Sequence, residues 1–261
     1  MLINNIATDS TSFSENILEN GLSIYEVIRV FRGTPIFLKD NLLRLDNSLK
    51  KSNIHIDIQN LHLPDKLNRL IRLEHLEEGN IKYVLHFLNN QTNEYLYVIP
   101  HSYPSREAYQ QGVNTITHEA VRVNPEVKYL NPELRATSDR LIKENNVYEV
   151  ILVDNDGCVT EGSRSNIFFI QQNTLYTAPY TDVLPGTSRK RVFDICKTEK
   201  IEIVEKKIKL DTLSDYEAAF ITGTSPLILP IRQINSISYK TSHPLLRRLM
   251  QLYFTLLERI D

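Results

Sequence analysis

Apolar residues recur with two periods over the first hundred positions. Ile24, Val27, Ile28, Val30 and Phe31 give residues 23–31 the apolar, β-branched character of a strand. Arg32-Gly33-Thr34-Pro35 reads as a turn, and residues 36–38 as the return strand. Asp40 stands where it can cap a helix whose Leu42, Leu45 and Leu49 recur at helical spacing. A second helix follows Pro64-Asp65, with Leu67, Leu70, Ile71 and Leu73 inward, and is predicted to stop at Gly79. Residues 81–88 and 95–99 predict a hairpin around 89–93. Together these elements make a small α+β domain.

Pro100, Pro104 and the polar stretch 105–111 mark a boundary, so the expected domains are residues 1–105 and 106–261. Beyond it the pattern predicts a strand at 113–117 and a helix at 134–145. Strands at 150–153 and 158–161 flank Asp154-Asn155-Asp156-Gly157, whose composition suits a hairpin turn. Another pair, 167–170 and 174–177, flanks residues 171–173. A helix is expected after Pro185-Gly186, and an amphipathic helix at 245–259 closes the chain. No internal repeat or low-complexity segment interrupts this order.

Composition narrows the class. A chain of 261 residues can bury a sizeable core and fits one large or two small domains. With 30 basic and 32 acidic residues the charge is nearly balanced, which gives no global argument for nucleic acid or an anionic membrane as partner. Cys158 and Cys196 form neither a metal spacing nor a disulfide framework, so no metal is expected and a reducing cytoplasm is the expected compartment. The N-terminus lacks a basic region followed by an apolar stretch, and no apolar run approaches the ~18 residues of a membrane span.

The candidate chemistry lies in Lys128 and Glu161. A lysine can hold an aldehyde cofactor as a Schiff base, and a carboxylate can keep a pyridine nitrogen protonated at the far side of the ring; these are the two protein groups that pyridoxal phosphate chemistry needs most. Four segments line up around them: Tyr25-Glu26-Val27-Ile28-Arg29 followed by Asn41-Leu42-Leu43-Arg44-Leu45; Val127-Lys128-Tyr129-Leu130-Asn131; the run from Glu161 to Phe168; and Leu184-Pro185-Gly186-Thr187-Ser188-Arg189. Their order and spacing resemble the class IV aminotransferase family of pyridoxal-phosphate enzymes, which includes branched-chain and D-amino acid aminotransferases and 4-amino-4-deoxychorismate lyases. The likeness runs from about residue 20 to about residue 225.

The resemblance implies an α+β fold of two α/β domains with the cofactor cleft between them, and Lys128 just past the linker. Lys128 matches the catalytic Schiff-base lysine, which also shuttles the substrate α-proton; a lysine of pKa ~10.4 needs burial or a nearby cation for that task. Glu161 matches the pyridinium partner, with Asn166 bonding near the ring and Leu184 packing on its face. Gly162 is expected to adopt a backbone conformation other residues resist. Arg44 matches the phosphate arginine, whose planar fork suits that anion. Gly186, Thr187 and Ser188 stand at a predicted helix N-terminus, where free amides and the dipole favour an anion. Thr224 matches a second hydroxyl-bearing turn at the phosphate. Tyr25 matches a position that faces substrate in relatives; Ser225, in the same turn as Thr224, is also assigned to substrate, and Arg164 is either solvent-facing or a substrate contact.

Departures mark a divergent member. The family's glycine-aspartate-glycine turn is Glu19-Asn20-Gly21-Leu22-Ser23 here, and its histidine three residues before the phosphate arginine is Asn41. Arg164 replaces a residue that is often small. The arginine-x-histidine pair that binds the substrate carboxylate in D-amino acid enzymes has no match, and His101 is only a loose candidate. Transamination between an amino acid and a 2-oxo acid is the first expectation; pyruvate elimination from aminodeoxychorismate, yielding 4-aminobenzoate, is the alternative. The family also implies a homodimer whose partner subunit lends a loop around residues 88–103.

Overall fold

The computed structural model describes residues 1–9 and 13–258. The described residues pack as two units, the first comprising Met1–Ser102 and Val127–Pro132, the second Tyr103–Glu126 and residues 133–258. The segment carrying Lys128 is therefore part of the first unit, not of the chain that follows the linker.

In the first unit, strands β1 (Leu2–Ile3), β2 (Ile6–Ala7), β3 (Leu22–Phe31), β4 (Thr34–Pro35), β5 (Glu78–Leu88) and β6 (Gln91–Ile99) form an antiparallel sheet in the order β2-β1-β6-β5-β3-β4. Side chains alternate across a strand, and the two faces differ. Ile24, Ile28 and Val30, with Ile81, Tyr83, Leu85 and Leu96, pack on Leu45 and Leu49 of α1 (Leu38–Lys51) and on Leu63, Leu67, Leu70 and Ile71 of α2 (Leu63–Leu73). Tyr25, Val84, Tyr95 and Tyr97 lie in a separate cluster with Leu18 and Leu130.

Three local expectations change. The return strand is only Thr34–Pro35, because Phe37 turns left-handed (φ 54°) and α1 starts at Leu38. Asp40 is consequently not the cap: it sits buried in the first turn, where a carboxylate still complements the helix dipole. The second helix ends at Leu73, with His75 left-handed just beyond it, so Gly79 does not terminate it. Gly79 instead pairs with Val30 inside β5, where a Cβ would lie 2.9 Å from Leu76 Cδ1. The hairpin turn is the two residues Asn89 and Asn90, both at positive φ, so β6 begins at Gln91 rather than at Tyr95.

The second unit contains α3 (Arg106–Gln111), β7 (Val113–Glu119), α4 (Pro132–Asn145), β8 (Glu149–Val153), β9 (Cys158–Gly162), β10 (Asn166–Gln171), β11 (Thr174–Thr177), α5 (Thr187–Glu199), β12 (Glu202–Glu205), β13 (Ile208–Lys209), β14 (Ala218–Gly223), β15 (Leu227–Ile234), β16 (Ile237–Ser238) and α6 (Pro244–Glu258). Its mixed sheet runs β12-β11-β10-β14-β15-β7-β8-β9-β13, with β16 on β15. Buried Ile151, Val159, Ile167, Phe169, Ile221 and Leu229 belong to one core cluster, while Phe168 and Phe220 stack at 5.0 Å beside Phe193 of α5. Both cysteines are buried and free, and burial pushes the Cys196 thiol up to about 12, which makes it inert. The expected helix at 245–259 is α6, its last position lying outside the described residues. Among the described residues no helix is long and apolar enough to cross a membrane.

Candidate active site

In the first unit, residues 128–130 are laid against the start of β3 by backbone bonds. Tyr25 N donates to Lys128 O at 3.0 Å, Leu130 N to Ser23 O at 2.9 Å, and Tyr129 bridges to Ile24. Lys128 N also donates to Ser48 Oγ of α1 at 3.1 Å. These bonds fix the lysine's backbone, and its Nζ lies 4.6 Å from the Tyr25 ring centroid. Arg44 is on the helix-packed face. Its Nε and Nη2 donate to the two oxygens of Glu26 at 2.8 and 2.6 Å, and Asn41 Nδ2 adds a third bond at 2.7 Å. Burial alone would lower the Arg44 pKa; the charge and hydrogen bonds of Glu26 outweigh it and raise the pKa.

In the second unit, β9 carries Glu161 into a buried position with both oxygens engaged. Oε1 accepts from Arg122 Nε at 2.7 Å, and Oε2 accepts from Leu184 N at 3.0 Å. Arg122 Nη2 reaches Ser163 O at 3.2 Å, which ties the guanidinium to the turn after β9. Asn166 Nδ2 donates to Leu184 O at 2.9 Å and lies 3.4 Å from Glu161 Oε2. Gly186 follows, where a Cβ would fall 2.0 Å from Asn166 Oδ1, so this backbone approach needs glycine. Gly186 is the N-cap of α5 and supplies no side chain to its first amides; Thr187 and Ser188 are buried in that first turn.

The sequence-derived residues Glu161, Asn166, Leu184, Gly186, Thr187 and Ser188 thus form one contiguous cluster. Thr224 and Ser225 are half-buried in the turn between β14 and β15, and Thr222 at the end of β14 pairs in register with Asn166. The buried Thr222 hydroxyl has no hydrogen-bond partner among the described residues. Arg164 is exposed and ion-paired with Asp139 of α4. Gly162 is needed for room rather than for φ: a Cβ would meet Ser165 Oγ at 2.1 Å and Glu149 at 3.2 Å.

Three charged residues escaped the sequence reading. Arg122 lies between exposed Val121 and Val123, an inverted pattern with the charge inward, and that inversion is its one sequence signal. Glu149 is buried at the start of β8 and accepts from Ser163 Oγ at 2.6 Å and Ser165 Oγ at 2.9 Å, which fixes the turn after Glu161. Glu26 sits inside an otherwise apolar strand face and gives no periodic signal at all.

A cleft of about 590 Å³ lies elsewhere in the first unit; Asn5, His62, Lys66, Arg69 and Glu94 are among its lining residues, and it holds none of the candidate residues.

A family model described as amino-transferase class IV matches residues 23–234. A D-alanine aminotransferase of Bacillus licheniformis is 28% identical over 236 residues, covering 86% of this chain and 83% of its own length. The aminodeoxychorismate lyase of Bacillus subtilis (strain 168) is 24% identical over 238 residues, covering 84% and 80%. A crystal structure of the Escherichia coli branched-chain amino acid aminotransferase superposes with a TM-score of 0.85 at 21% identity, over 97% of this chain and 93% of that one. At that identity the superposition speaks for the fold alone.

Proposed function

We propose that this chain, which belongs to the class IV aminotransferase family, is a pyridoxal-phosphate enzyme that moves an amino group between an amino acid and a 2-oxo acid. The observation that carries the reading is the Glu161 cluster. A buried carboxylate is clamped by Arg122 on one oxygen and by the Leu184 amide on the other. It stands in the same hydrogen-bonded group as a helix N-terminus whose cap has no side chain.

The residues suit the cofactor. A carboxylate held against a guanidinium is an anionic acceptor for a ring N–H. The Gly186 cradle admits no Cβ, and the Thr222 hydroxyl is buried without a partner beside Asn166, so donors of the right kind remain at this end of the sheet. When bound, pyridoxal phosphate supplies an electron sink for the bond broken at the substrate α-carbon.

Within the first unit, Lys128 supplies the amine that carries the cofactor and then moves the proton at the α-carbon. Ser48 and the Tyr25 backbone hold its main chain for that task. Arg44, kept in place by Glu26, is assigned to the phosphate. Within the second unit, Glu161 holds the proton on the ring nitrogen, Leu184 covers a ring face, and Thr187, Ser188 and Thr224 donate to the phosphate. Tyr25, Arg164 and Ser225 are assigned to the substrate. A cytoplasmic homodimer is part of the same reading, and a monomeric sedimentation value at full activity would rule the dimer out.

The test is a substrate panel of L- and D-amino acids with 2-oxoglutarate or pyruvate, run beside aminodeoxychorismate. Amino exchange by the wild-type protein, absent in Lys128→Ala, is the expected result. Release of pyruvate and 4-aminobenzoate alone would replace it with the activity named for the Bacillus subtilis relative, which the same lysine could serve. A protein that catalyses no exchange and no elimination would overturn the reading.

A further inference from the structure

Lys82 on β5 is a buried cation whose anion comes from a surface turn. Its Nζ lies 2.6 Å from Glu15 Oε2; the Lys82 side chain is 8% exposed and that of Glu15 49%. Tyr97, directly opposite Lys82 on β6, donates its hydroxyl to Glu15 Oε1 at 2.9 Å. Burial, then the Glu15 charge, push the Tyr97 pKa up, so this hydroxyl is a neutral donor. The two donors are fixed by neighbouring strands of the sheet. The carboxylate they bind belongs to Glu15–Leu18, a single turn of 3-10 helix anchored by buried Leu18 and by Phe13, whose ring packs on Tyr97 at 4.8 Å.

Lys82 and the catalytic lysine of the proposed reaction approach the same aromatic ring. Lys82 Nζ lies 5.3 Å from the Tyr25 ring centroid, and Lys128 Nζ lies 4.6 Å from that same centroid. A lysine left buried without an anion is costly, so a carboxylate is favoured at this position. An amino acid or 2-oxo acid brings one within a few bonds of its reacting carbon.

We propose that Lys82 and Tyr97 form a receptor for a carboxylate of the substrate, and that Glu15 is a built-in occupant which the substrate displaces. This assignment rests on the aminotransferase reading for the identity of the substrate. The receptor itself rests on Lys82, Tyr97 and Glu15 alone. It also supplies a carboxylate site in a chain that lacks the arginine-x-histidine pair.

The experiment is calorimetric titration of the cofactor-loaded protein with propionate, a carboxylate that cannot turn over. Glu15→Gln removes the competitor and is expected to tighten propionate binding about fivefold or more. Lys82→Met is expected to weaken it at least about tenfold, and adding Glu15→Gln to Lys82→Met should then give no tightening. Lys82→Arg, which keeps the cation, should retain the response to Glu15→Gln. Glu15 is half-exposed, so its variant tests the idea even if Lys82→Met does not fold. An affinity in Glu15→Gln within twofold of wild type overturns the proposal, as does wild-type affinity in folded Lys82→Met. Borohydride labelling of Lys128 on the same samples reports the aminotransferase reading separately: a lost label with an intact propionate response would sink that reading and leave the receptor standing.

Discussion

Each unit buries an arginine–carboxylate pair, and the two are built differently. Glu26 is fully buried and meets Arg44 with two parallel bonds, while Asn41 takes a third. Glu161 accepts from Arg122 Nε on one oxygen, its arginine is 15% exposed, and its second oxygen faces a backbone amide and Asn166. A carboxylate whose lone pairs are shared among rigid, inward-facing donors is a structural strut. One oriented by a partly exposed guanidinium on one oxygen and a backbone amide on the other stands beside a helix N-terminus. The contrast assigns stability to the first pair and chemistry to the second. It also makes Arg44 a guanidinium positioned by a strut, two of its nitrogens already committed.

Breaking the strut should give the largest effect. Glu26→Gln leaves the Arg44 charge buried without its counter-ion, and unfolding by denaturant should show a loss of about 3–5 kcal/mol. Glu161→Gln should reverse the pattern: turnover falls on the order of 100-fold, as when one preorganised group facing developing charge is removed, while the denaturation midpoint moves little. A Glu161→Gln protein as fast as wild type would erase the distinction. Gly186→Ala sharpens it further. The new methyl meets Asn166 Oδ1, so a loss of about 1–3 kcal/mol from overpacking is expected, together with weaker cofactor retention measured by absorbance after dialysis. Arg140→Ala, which removes an exposed pair with Glu144 on α4, should shift stability by no more than about 0.5 kcal/mol.

The same two pairs show how far the sequence could be read. Lys128, Glu161, Arg44 and the Gly186 turn stood out because each sits in a short string of distinctive residue types. Their strands and helices followed from period-two and helical spacing. Arg122 and Glu26 did not stand out, because pairing across a fold leaves no local period, and a lone charge in an apolar stretch reads as surface. Elements failed for related reasons. β14 and β15 are central strands buried on both faces, so they do not alternate, and Pro230 inside β15 argues locally against a central strand. Helix ends moved where Phe37 and His75 took left-handed conformations that glycine or asparagine usually occupies. The return of residues 127–132 to the first unit depends on Ser48 and Tyr25, which lie far away along the chain.

The central claim is that Lys128 carries the cofactor, and borohydride reduction of the purified protein followed by peptide mass spectrometry tests it most directly. The account predicts a yellow protein that loses its colour on reduction, with a pyridoxyl mass added to the peptide containing Lys128 and to no other. A label on a different lysine, or a colourless protein that takes up no label when supplied with pyridoxal phosphate, would contradict it.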